Sequence, residues 1–104
     1  MAFPRMIKVQ QRFDAPQVDD IPGTVKAQIE GLNLSGKVKQ GDTVAVTVGS
    51  RGVSNIAVIT KAIVEALKEL GAAPFIVPAM GSHGGGTAEG QRQIIEGYGV
   101  TEEF

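Results

Sequence analysis

The chain has 104 residues, 42% of them apolar, with ten Lys and Arg against eleven Asp and Glu for a net charge of −1. This suits one globular domain at most, with too little basic excess to grip a phosphate backbone. With no Cys, disulfides, thiolate metal sites and cysteine nucleophiles are excluded.

Met1 to Arg5 does not open the apolar run of a signal peptide. No stretch approaches the roughly 18 apolar residues of a membrane span, because Lys61, Glu65, Lys68 and Glu69 interrupt the longest apolar segment. The sequence therefore reads as cytoplasmic, with neither nucleic acid nor membrane as partner. Aromatic residues are scarce and Trp is absent, so a core must rest on Val, Ile, Leu and Ala.

Residues 6–13 place Ile7, Val9 and Phe13 at odd positions against Lys8, Gln10 and Arg12, which predicts a strand with one wet face. Asp20-Ile21-Pro22 opens a predicted helix with Asp as its cap. Val25, Ile29 and Leu32 form its apolar stripe. Asn33 to Asp42 is polar and reads as a loop. Thr43 to Val48 is β-branched and uncharged, as expected of a buried central strand. After Gly49-Ser50-Arg51-Gly52, Ser54 is expected to cap a helix carrying Ile56, Ile59, Ile63, Leu67 and Leu70 at helical spacing. Gly71 stands where a glycine ends a helix. Pro74 to Pro78 is a short apolar strand, followed by Met80-Gly81-Ser82-His83-Gly84-Gly85-Gly86-Thr87 and a helix from about Ala88 to Tyr98.

Alternating strands and helices imply right-handed crossovers and a mainly parallel sheet. The expected fold is α/β, a three-layer Rossmann-like fragment. Residues 1–41 form its N-terminal strand and helix, and residues 42–104 form the βαβα segment. Three strands make a small sheet, and the chain stops just after a helix, so the expectation is a piece of a longer two-domain protein. Its missing C-terminal part would complete a pocket, and an exposed strand edge would favour self-association.

Ligands of an open parallel sheet bind beyond the carboxyl ends of the strands. The loops 49–54 and 80–87 both leave such ends, so they face each other if their strands are neighbours. Glycines at 81, 84, 85 and 86 permit positive φ and close backbone approach to a ligand, and the next helix start favours an anion. Walker A spacing is present from Gly81 to Gly86, but Thr87 follows directly and the lysine is missing; His83 likewise breaks the dinucleotide fingerprint. His83, the one histidine, suits proton exchange near neutrality. A metal role within this chain is disfavoured, since no second His or Cys can share the ion. Arg51 suits bidentate recognition of a carboxylate. Ser50 and Ser82 are possible donors to a ligand, although neither has a base beside it in sequence. Met80 reads as packing, and Glu102-Glu103 as a solvated end.

Val48-Gly49-Ser50-Arg51-Gly52 together with Pro78 to Gln91 resembles the N-terminal domain of the nickel-pincer lactate racemase family. The likeness runs from about Asp42 to the end of the chain. It implies that Arg51 holds the substrate carboxylate and that His83 exchanges a proton with the substrate hydroxyl. On the same resemblance Ser50, Ser82 and Gly84 would contact substrate, while Gly85, Gly86 and Thr87 would face the cofactor. The implied reaction is racemisation or epimerisation of a 2-hydroxy acid by hydride transfer to a nickel-pincer nucleotide. The family's cofactor lysine, nickel histidine and second catalytic histidine would all lie beyond Phe104. Two departures, Val48 in place of an acidic residue and Gly84 in place of a larger basic one, weaken the case for lactate itself but leave a 2-hydroxy-acid-like anion as the implied substrate. A non-catalytic small-anion-binding or regulatory module using the same rim is the alternative, and a structural or assembly domain is a third.

Overall fold

A computed structural model describes all 104 residues. Its first helix, α1 (Ile21–Gly31), starts as expected: the Asp20 carboxylate accepts the Gly23 N–H at 3.0 Å and Pro22 sits in the first turn. A short 3₁₀ turn at Leu34–Gly36 follows. Strand β1 (Thr43–Val48) leads to helix α2 (Ile56–Glu69), then strand β2 (Ala73–Pro78), a second 3₁₀ turn at His83–Gly86 and helix α3 (Ala88–Gly97).

The strands pair in parallel, Thr43 opposite Ala73 through Val48 opposite Pro78. A parallel pair needs a long crossover, which α2 supplies, ending where Gly71 takes φ +84. Val44, Val46, Val48 and Ile76 lie on the face toward the helices and are at least half-buried. Val48, Met80, Ile95 and Val100 form the core cluster, with Ile56, Ile76, Ile94 and Phe104 packed around it. Helix α1 lies against α2, where Lys26 pairs with Glu69 at 2.8 Å; the carboxylate holds the ammonium above its ordinary pKa. No helix is long and apolar enough to cross a membrane.

The α/β class holds, with local corrections. Residues 6–13 form no strand: no hydrogen bond reaches residues 1–19, and all of their side chains are exposed. Period-two patterning is a local signal, whereas a strand exists only beside a partner's amides. The sheet therefore has two strands rather than three. β1 is an edge strand rather than a buried central one, because Ala45 and Thr47 face solvent along with Phe75. The second helical layer of a three-layer fold is thus not formed within these residues. Finally, Asn55 rather than Ser54 occupies the N-cap of α2, in a left-handed conformation (φ 57) and without a side-chain cap bond. The loop turns back through Gly52 and Asn55, and Asn tolerates positive φ better than most residues.

Only ten residues are buried, so each carries a large share of the stability. Leu67→Ala in α2, where the side chain is 4% exposed, is expected to lower the unfolding free energy by about 2–5 kcal/mol. Val18→Ala, outside the packed body, should leave it within about 0.5 kcal/mol. Chemical denaturation compares the two, and equal losses would contradict this assignment of the core.

Candidate functional site

Parallel pairing sends both strands out of the sheet at the same end. The Ala79 N–H donates to the Val48 carbonyl at 2.8 Å, so the two chain exits start side by side. Gly49 passes close to the Ala79 carbonyl. Met80 is buried and anchors the start of the second loop, as its reading as a packing residue requires.

The loops meet through their side chains. Ser50 Oγ lies 2.5 Å from His83 Nδ1, joining residues 33 positions apart. Both are half-buried. Because Nδ1 is engaged, Nε2 is the ring nitrogen left for a ligand. The sequence offered Ser50 no adjacent base; the fold brings His83 to it from the other loop. Arg51, the next residue, is exposed and takes part in none of the ion pairs, which are Lys26–Glu69, Arg92–Glu96 and Arg92–Glu102. Its guanidinium extends from the same loop as Ser50 without an acidic partner.

The other expected residues separate into scaffold and open backbone. Thr87 caps α3: its hydroxyl accepts from the Gly90 N–H and donates to the Gly84 carbonyl, both at 3.1 Å. Gly84, at φ +63, packs against the α3 backbone, so an added Cβ would meet Gly90 C at 2.5 Å. Gly85 and Gly86 are exposed, with free space where a Cβ would stand. Ser82 is exposed and precedes the 3₁₀ turn without a side-chain cap bond. Gln91 is a residue the sequence reading missed: its amide donates to the carbonyls of Gly81 at 2.7 Å and His83 at 3.2 Å. Its place one turn after the Thr87 cap was the available signal. A cavity of about 620 Å³ lies along β2 and α3 between Phe75, Ile95, Val100 and Phe104, and neither Arg51 nor His83 lines it.

Thr87, Gln91 and Gly84 together fix the backbone that carries His83. Gly84→Ala adds steric collision to backbone strain, whereas Gly86→Ala adds only the strain of about 1–2 kcal/mol. Denaturation is therefore expected to rank Gly84→Ala as the more destabilising change; the reverse order would contradict the close approach of loop to helix. Comparison with family models, curated protein sequences and solved structures gives no match to this chain.

Proposed function

We propose that this chain is the substrate-anchoring, N-terminal part of a lactate racemase-like enzyme that takes a 2-hydroxy acid or a similar small anion. The observation that carries the reading is the Ser50–His83 contact, with Arg51, the residue after Ser50, taking part in none of the ion pairs. A carboxylate on Arg51 would accept two parallel N–H bonds, which set both charge and orientation. A hydroxyl on the adjoining carbon would then meet His83 Nε2, where a proton can be taken up and returned. Ser82 and the open backbone of Gly85 and Gly86 border the same loop.

The resemblance also implies a nickel-pincer nucleotide, which would supply the hydride acceptor. This chain fits no metal by itself: it has one His and no Cys, and no cluster of three or more His, Cys, Asp or Glu side chains. Thr87 is committed to capping α3. The metal ligands would have to come from residues outside 1–104. The single acid–base residue also favours the second reading, a non-catalytic small-anion-binding module.

NMR titration with a panel of 2-hydroxy acids and their deoxy analogues tests the site. Hydroxy acids are expected to shift Arg51 and His83 resonances, and Arg51→Ala to weaken binding about tenfold or more, equivalent to about 1.4 kcal/mol. Shifts equal for every anion, or unaffected by Arg51→Ala, would contradict the assignment. In a longer protein containing this chain, His83→Ala should reduce racemisation by about 10²–10⁴-fold; binding without any turnover would select the anion-binding module.

A further inference from the structure

The two-stranded sheet has two outer edges, and they are chemically unlike. Ala73 N–H donates to the Asp42 carbonyl and Ala79 N–H to the Val48 carbonyl, both at 2.8 Å. With the Val44–Pro74 to Val48–Pro78 register, these bonds set the phase of the ladder. Even-numbered residues of β1 and odd-numbered residues of β2 turn their amides toward each other. The outer edge of β2 therefore belongs to Pro74, Ile76 and Pro78. Two of these three have no N–H, which is how natural sheets discourage edge pairing. The outer edge of β1 belongs to Thr43, Ala45 and Thr47, and all three present both N–H and C=O. One edge is guarded and the other is open.

The same chain carries a segment suited to the open edge. Residues 6–13 alternate with period two, and Met6, Ile7, Val9 and Phe13 are exposed. No backbone group there has a hydrogen-bond partner. Residues 1–13 contain Arg5, Lys8 and Arg12 and no acid, whereas residues 14–104 hold seven basic and eleven acidic side chains, a net charge of −4. A basic arm and an acidic body attract. Eight extended residues span about 26 Å, enough to cover a six-residue strand of about 20 Å. The arm lies away from its own body. The molecule measures 67 × 35 × 23 Å with a radius of gyration of 18.8 Å, against about 13 Å for a compact chain of 100 residues.

We propose that the outer edge of β1 is a docking site for residues 6–13 of a second copy of this chain, so that two molecules exchange arms and each sheet gains a third strand. Main-chain hydrogen bonds supply the pairing, and alternate side chains of the arm cover apolar surface. Reciprocal exchange closes a two-fold dimer and leaves no open β1 edge. The arm is thus a strand only on its partner.

Sedimentation velocity on the 104-residue chain tests this. The intact protein is expected to run as a dimer of twice 10.9 kDa, and removal of residues 1–18 should give a monomer. Ile7→Asp with Val9→Asp should do the same without touching the packed body. Ala45→Pro removes an N–H that points outward, so it should also give a monomer while sparing the ladder to β2. If Ala45→Pro fails to fold, the arm variants still decide. An intact chain that is monomeric overturns the proposal; if its Ala45 and Thr47 amides are then protected from exchange, the arm has folded onto its own edge. A dimer that survives both arm variants also overturns it, and points instead to the uncovered face around Phe75.

Discussion

A hydrogen bond between Ser50 Oγ and His83 Nδ1 joins the two glycine-rich loops at one end of the sheet. Without it, Ser50 and His83 are merely residues of separate turns. The bond exists because β1 and β2 run in parallel and leave the sheet together. An antiparallel pair would send the two loops to opposite ends. The Ala79–Val48 bond and the buried Val48 and Met80 side chains hold the exits side by side. Thr87 and Gln91 then fix the backbone of the second loop from the α3 side.

Much of this geometry was legible in the residues. Asp20-Ile21-Pro22 announces α1 through capping chemistry, and the Ile56 to Leu70 spacing announces α2; both signals are local and lie within one element. The neighbouring placement of the two loops followed from parallel topology alone. What could not be read was long-range. The Ser50–His83 partnership spans 33 residues, and nothing in the local sequence of either loop encodes it. The same limit explains residues 6–13, where alternation states which side chains could share a face but not whether an edge is present to pair with. Thr43 to Val48 misled in another way: an uncharged β-branched run fits a buried strand, yet Ala45 and Thr47 are small enough to face solvent at little cost.

The body is economical in its burial. Ten buried residues support α2 and α3 against a two-stranded sheet and α1 against α2, while Phe75 stays half exposed at 50%. Pro74 and Pro78 protect one edge against indiscriminate pairing, and the open β1 edge is left for a specific partner strand. The helices and the core cluster support the rim that carries Ser50, Arg51 and His83, and under the proposal the open edge would govern assembly. On the proposed reading, chemistry that needs a metal or a second acid–base group would be completed by residues outside this chain, whereas anion recognition would fall to Arg51 and its neighbours.

Through-space proton contacts between the Ser50 β-methylene and the His83 ring in solution report directly on whether the two loops converge. With one histidine in the chain, the ring signals carry no ambiguity. Convergence predicts strong cross-peaks between these groups in the unliganded protein. An absence of such cross-peaks, with a freely averaging ring, would show that the cation and the imidazole do not share a site.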